Sequence, residues 1–279
     1  MKFWKYHGLG NDFVILNNLE GRLHIDGSLA EQVCHRRFGV GADGLILVEK
    51  SAKADVRMII YNSDGSRPAM CGNGIRCFVR YVYDKGIVKR PNIAVETDAG
   101  ILHIEIRTSG EEFTAAVVNM GKPDFTSANV PVNIDRQEMI NHEVEIEGRC
   151  FKITSLLMGV PHTVVFVDEL KDDEVVAFGR LIENSPLFPQ RTNVNFVKVI
   201  DRDHIALRTW ERGAGYTYAC GTGACASVAA AIANNLTNDK VQAQLRGGVL
   251  TIHWKDRGDI LMEGPAEEVF EGIYTKPQI

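Results

Sequence analysis

Two cysteines stand in the same uncommon setting, Cys71-Gly72-Asn73-Gly74 and Cys220-Gly221-Thr222-Gly223. Taken singly, such cysteines are more often small buried hydrophobes than reactive groups. Here each is followed by glycines that open an apolar stretch with helical spacing, Gly72 to about Lys85 and Gly221 to about Asn235. A helix start carries unpaired N–H groups that point at any anion beside it. The same N–H groups lower the pKa of a thiol placed there, and glycine admits a ligand close to the backbone because it lacks Cβ. A pair of such thiols suits proton exchange at a carbon acid. One thiolate removes a proton from one face, a thiol delivers one to the other, and the pair merely swaps protonation states. N–H groups aimed at an α-carboxylate would stabilise the charge that develops in between.

The elements that must position these thiols repeat. Met58-Ile59-Ile60-Tyr61-Asn62 leads through a polar loop to Cys71, and Leu207-Arg208-Thr209-Trp210-Glu211 leads likewise to Cys220, at a constant offset of 149 residues. The same offset carries Gly44-Leu45-Ile46-Leu47-Val48 onto Asn193-Val194-Asn195-Phe196-Val197, and a nearby offset sets Gly10-Asn11-Asp12-Phe13-Val14 against Pro161-His162-Thr163-Val164-Val165. Two related domains are therefore expected, at 1–118 and 119–266, with a last strand at about 267–279 (around Gly272-Ile273-Tyr274) returning to the first. Phe13–Leu16, Gly44–Val48 and Val56–Tyr61 read as strands. Ser28 to Arg37 reads as a helix with Ser28 as N-cap and Glu31 completing a capping box. Glu145 to Thr154 alternates as a strand about a Gly148-Arg149 turn.

Composition bounds the rest. The chain has 279 residues, is 45% hydrophobic and 24% charged, and carries a formal net charge of -5, which favours an ordinary globular protein and gives no support to nucleic-acid or acidic-membrane partners. The start, Met1-Lys2-Phe3-Trp4-Lys5-Tyr6-His7, lacks the apolar core of a signal peptide, and Ala224 to Ala233 is far too short to span a membrane. A cytoplasmic protein with reduced cysteines is expected. Zinc is disfavoured because Cys77 and Cys225 fall inside the helices, where both read as core, and no Cys-x2-Cys occurs. Cys34 and Cys150 carry no motif. Gly39-Val40-Gly41-Ala42-Asp43-Gly44 matches a dinucleotide fingerprint in letters only, since it follows a helix and opens a strand. Asp12 reads as a turn-former.

The motifs resemble those of one family. Met70-Cys71-Gly72-Asn73-Gly74-Ile75-Arg76-Cys77 and Tyr218-Ala219-Cys220-Gly221-Thr222-Gly223-Ala224-Cys225 are similar to the two signatures of the diaminopimelate epimerases. So are Lys5 to Phe13, Arg37 to Gly44, Phe188-Pro189-Gln190-Arg191-Thr192-Asn193 and Trp210 to Gly215, in order along nearly the whole chain. The resemblance implies an α/β (α+β) fold of two pseudo-symmetric domains, each a mixed sheet curled around a central helix, and a homodimer. It implies interconversion of L,L- and meso-diaminopimelate without pyridoxal phosphate or metal, in lysine and cell-wall precursor synthesis. Carried over by motif, Cys71 and Cys220 are the acid/base pair. Asn11, Asn62, Gly72, Asn73, Asn193, Glu211, Arg212, Gly221 and Thr222 hold the substrate, and His162 and Glu211 tune the thiols. Arg212 suits a carboxylate because its fork binds it in a bidentate manner. The chain departs from the family pattern at Gly44, Val160, Tyr216 and Tyr218; Val160 replaces a frequent Asn and removes one polar contact to substrate. The alternatives are a racemase of another amino acid (histidine, lysine or a proline derivative) on the same scaffold, a thiol-based redox or hydrolytic enzyme, or a metabolite-binding protein.

Overall fold

The computed structural model describes residues 1–275. In chain order the elements begin β1 (Lys2–Gly8), β2 (Asn11–Asn17), α1 (Gly27–Cys34), β3 (Gly44–Glu49), β4 (Val56–Asn62), α2 (Gly72–Asp84), β5 (Asn92–Thr97), β6 (Gly100–Ser109) and β7 (Glu112–Asn119). They continue β8 (Met139–Ile146), β9 (Arg149–Met158), β10 (Val160–Phe166), α3 (Asp172–Glu183), β11 (Asn193–Val199), β12 (His204–Glu211), β13 (Gly215–Tyr216) and α4 (Gly221–Ala233). The last are β14 (Lys240–Leu245), β15 (Gly248–His253), β16 (Leu261–Gly264) and β17 (Glu267–Ile273). The chain divides into two compact units, Met1–Val118 with the chain from Glu263 onward, and Asn119–Met262.

In the first unit β17 pairs antiparallel with β1 and β1 with β2, β2 runs parallel to β3, β3 antiparallel to β4, and β4 parallel to β5. Helix α2 packs against β17, β1, β2, β3 and β4, so the sheet must wrap around it. Strand alternation separates two faces. Leu45, Leu47, Ile59 and Tyr61 pack in one cluster with Ala30 and Val33 of α1, whereas Ile46 and Ile60 reach Gly74 in the first turn of α2.

The second unit repeats the plan by itself. Antiparallel β9 and β10 are followed by parallel β10 and β11, antiparallel β11 and β12, and parallel β12 and β14. Helix α4 packs against β9, β10, β11, β12, β14 and β15, while α3 covers β11 and β12 from the other face. Residues enclosed on every side must be small or apolar, and α4 reads Gly-Thr-Gly-Ala-Cys-Ala-Ser-Val-Ala-Ala-Ala-Ile-Ala, nearly all buried. Alanine also gives the best intrinsic helix propensity. No helix among the described residues is long and apolar enough to cross a membrane.

Hydrogen-bond register corrects the sequence reading in places. Phe13 faces Gly44 as His162 faces Asn193, and Leu45 faces Tyr61 as Val194 faces Trp210, all at the offset of 149. The alignment of Asn11 with His162, which rested on residue likeness, is therefore displaced: Asn11 corresponds to Val160. Helix α1 is capped by Asp26, whose carboxylate accepts the Leu29 N–H at 2.9 Å, and Ser28 lies inside the first turn. Asp26 precedes Ser28 in the chain and captures the free N–H first; the helix then stops at Cys34 instead of Arg37. The alternating stretch 145–154 is two strands, β8 and β9, because Glu147 and Gly148 take positive φ of 50° and 75° and reverse the chain. Strand β17 does pair with β1, and the final residues of the expected 267–279 strand, 276–279, lie outside the described residues.

Asp12 does more than form a turn. Its carboxylate lies 2.6 Å from the Lys5 ammonium and takes both arms of Arg36 at 2.8 and 3.2 Å. Arg36 also reaches Asp43 at 2.6 Å, so the network ties β1 and β2 to the segment entering β3. Burial would raise the Asp12 pKa, but the hydrogen bonds from Arg36 and Lys5 outweigh it and hold the carboxyl well below its ordinary range. Asp12→Asn, which leaves the buried Lys5 opposite a neutral amide, is expected to cost about 3 kcal/mol in urea unfolding. Because the folded pKa is depressed, this stabilisation is present above an unfolded-state value of about 4. It is lost as pH falls below that value, and the variant should lose the corresponding acid sensitivity; an unchanged acid profile would show that Asp12 contributes nothing.

Candidate active site

Cys71 and Cys220 are both helix N-caps. Cys71 has extended backbone (φ -141°, ψ 122°) and its sulfur accepts the Gly74 N–H at 3.4 Å. Cys220 does the same (φ -122°, ψ 109°), accepting from Gly223 N–H at 3.3 Å, with Thr222 Oγ1 at 3.4 Å from the sulfur. Capping of this kind satisfies one of the orphan donors of the first turn.

The second glycine of each motif has a packing role. A Cβ on Gly223 would lie 2.5 Å from Asn195 Oδ1 and 3.2 Å from Cys220 Sγ; one on Gly74 would lie 3.0 Å from Ile60 Cδ1. Glycine here lets the helix start settle onto the strands, where sequence reasoning assigned the glycines to close approach of a ligand.

In the first unit the predicted binding residues Asn11 and Asn73 are joined. Asn73 Nδ2 donates to Asn11 Oδ1 at 3.1 Å, and Asn11 Nδ2 donates to Asp43 at 2.7 Å. Arg76, fully buried in α2, donates to Asn73 Oδ1, to the Gly72 carbonyl and to the Pro265 carbonyl at 3.0, 3.0 and 3.1 Å. The Gly72-Asn73 peptide is thereby oriented beside Cys71. Asn62 is placed differently: its side chain donates to Ser66 Oγ at 2.9 Å and closes the exposed turn after β4.

In the second unit Glu211, Cys220 and Thr222 come together. Burial, followed by the Glu211 carboxylate, pushes the Cys220 thiol well above its ordinary value, against the opposing pull of Thr222 and the Gly223 N–H. The expectation that a helix start lowers this thiol is overturned at Cys220, since the sulfur is almost wholly removed from water and faces an anion. Glu211 also accepts from Thr217 Oγ1 at 2.6 Å. Asn193 is committed within the protein: its Oδ1 accepts the Arg212 N–H and its Nδ2 donates to the Pro161 carbonyl, both at 2.9 Å. Arg212 gives one guanidinium N–H to the Gln190 carbonyl. His162 is fully buried; burial first, and the nearby Arg212 second, lower its pKa to about 3, so the ring is neutral. Tyr216 and Tyr218, two of the departures from the family pattern, flank the Arg246 guanidinium at 4.7 and 4.4 Å and brace the loop between Glu211 and Cys220.

The model of the diaminopimelate epimerase family matches residues 3–126 and 154–269. The chain belongs to the diaminopimelate epimerase family. Relatives so named include one from Clostridium perfringens, 48% identical over 98% of this chain and 99% of the relative, and one from Alkaliphilus metalliredigens, 45% identical over 100% and 99%. Among solved structures, a hydroxyproline epimerase from Agrobacterium vitis aligns over 100% of this chain and 93% of its own, with TM-score 0.71 at 15% identity. A phenazine biosynthesis protein of the PhzF family from Bacillus anthracis aligns over 98% of both chains, with TM-score 0.69 at 16% identity. These likenesses establish a shared α/β fold.

Sequence reasoning missed Asp43, Arg76, Asn195 and Thr209. Arg76 and Asn195 interrupt apolar runs, and that interruption was the available signal, whereas Asp43 in a glycine-rich turn and Thr209 in a mixed strand gave none. Two outcomes test this geometry. Gly223→Ala should destabilise by about 3 kcal/mol and Gly74→Ala by about 1, because a fixed amide oxygen yields less readily than the end of an isoleucine; equal losses on urea unfolding would contradict the contacts. With iodoacetamide near pH 8, half-buried Cys71 should alkylate about tenfold faster than buried, protonated Cys220, with exposed Cys150 as reference. Equal rates by peptide mass spectrometry would refute the difference in environment.

Proposed function

We propose that the chain is a diaminopimelate epimerase that inverts an α-carbon by proton exchange between Cys71 and Cys220, without pyridoxal phosphate. The observation that carries this reading is the paired device: two N-cap thiols at equivalent positions of two equivalent units, within a family match over most of the chain. A thiolate takes the α-proton as the Cα–H bond breaks and an S–H bond forms. The electron pair is left on the α-carbon, and the opposing thiol gives its proton to the other face, becoming the thiolate. Cys220, held as the thiol by burial and Glu211, serves first as the donor. The helix-start N–H groups of Gly72-Asn73 and Gly221-Thr222 stabilise the charge spreading onto the α-carboxylate.

Arg212 holds a charged end of a long zwitterion. For the four Asn side chains the reading is narrower, since each amide already serves the protein: Asn11 and Asn73 bond each other between Asp43 and Arg76, Asn193 places the Arg212 backbone, and Asn62 closes a turn. The reaction belongs to lysine and cell-wall precursor synthesis, with the enzyme acting as a homodimer in the cytoplasm.

The test is incubation with L,L-diaminopimelate in heavy water with no added cofactor. The meso product should form with solvent deuterium at the inverted carbon, while early substrate remains unlabelled. Cys71→Ala and Cys220→Ala should each lower net inversion by about a thousandfold. Wild-type turnover by either variant would eliminate the paired-thiol mechanism, and turnover of proline, lysine or histidine in place of diaminopimelate would reassign the substrate.

A further inference from the structure

The two units share a backbone plan yet differ beneath their catalytic helices. At equivalent register positions the first unit has Phe13, Ile46 and Ile60, all buried; the second has His162, Asn195 and Thr209, also buried. The apolar trio shows that packing alone can be satisfied with hydrocarbon. Polar side chains in the same places carry a desolvation cost and call for a use.

The hydrogen bonds of the polar trio have a direction. Thr209 Oγ1 donates to Asn195 Oδ1 at 3.0 Å, which leaves the Asn195 NH₂ facing His162 Nδ1 at 3.2 Å. An NH₂ group can only donate, so Nδ1 accepts and the ring proton belongs on Nε2. His162 Nε2 is fully buried and has no hydrogen-bond partner among the described residues. An unmatched buried donor is what a site shows when its acceptor arrives with the reactants.

We propose that Asn195, oriented by Thr209, is a positioning residue that fixes His162 as the neutral Nε2–H form, so that the ring donates one hydrogen bond to an anionic oxygen or sulfur of the reacting set and never carries the migrating proton. The second half of this statement rests on the epimerase reading; the location of the ring proton does not. The asymmetry gives the second unit an uncharged donor that the first lacks, so the surroundings of the two thiols differ although their helices are alike.

The test uses the full-length protein labelled with ¹⁵N-histidine. Long-range ¹H–¹⁵N spectra should show His162 with a proton on Nε2 and a bare Nδ1, unchanged from about pH 5 to pH 9, as a ring of low pKa requires. A proton on Nδ1 in the wild type would overturn the assignment. Asn195→Asp replaces the donor by an acceptor of the same shape, so Nδ1 should gain a proton and a histidine titration should enter the pH profile of kcat. A wild-type spectrum and profile in that variant would also overturn it. His162→Gln retains an N–H donor near the same place and should keep most of kcat, whereas His162→Leu should lose about a hundredfold with little change in KM. Equal losses in two folded variants would refute the donor role. If diaminopimelate proves not to be the substrate, the kinetic arms move to whichever amino acid is turned over, and the spectra stand as they are.

Discussion

The first turns of α2 and α4 lie so close to the strands beneath them that a methyl group on Gly74 or Gly223 would overlap a neighbour. That closeness sets the position of each N-cap sulfur, because the cap is one residue before the helix and its sulfur accepts an N–H of the same turn. A helix enclosed by its own sheet cannot move outward without opening contacts on several strands at once. The thiols therefore inherit the rigidity of the whole unit. In α4 the same enclosure limits the helix almost entirely to Ala, Gly, Ser, Cys and Val.

Around these fixed sulfurs the two units use different electrostatics. The first surrounds its helix start with a chain of oriented amides, from Arg76 through Asn73 and Asn11 to Asp43, anchored by the Lys5–Asp12–Arg36 ion pairs. The second places a carboxylate, Glu211, against a buried thiol and keeps a neutral imidazole below. Burial dominates at Cys220, which is why a helix end that would acidify an exposed thiol fails to do so there. Burial and the neighbouring carboxylate act together to keep the Cys220 thiol protonated.

The polar interruptions in otherwise apolar strands gain meaning only in this context. Asn195 and Thr209 sit where Ile46 and Ile60 sit in the other unit, and Asp43 closes a turn that looked like mere glycine-rich punctuation. Tyr216, Tyr218 and Arg246 form a stacked brace on the loop between Glu211 and Cys220, a role no local pattern suggested because Arg246 comes from the turn after β14, beyond the intervening helix.

Sequence by itself determined the elements whose cause is local or periodic. Strand alternation, the Cys-Gly-x-Gly helix starts and the 149-residue duplication were legible because each depends on residue type at fixed spacing. Where two local signals competed, as at Asp26 and Ser28, or where likeness was mistaken for register, as at Asn11 and His162, the reading slipped. Only the tertiary structure decided the thiol's protonation, the commitment of Asn193 and Asn62 to the protein's own backbone and turn, and the direction of the Thr209–Asn195–His162 chain. Those properties come from desolvation and from partners distant in sequence, so they exist only once the sheet has closed around its helix.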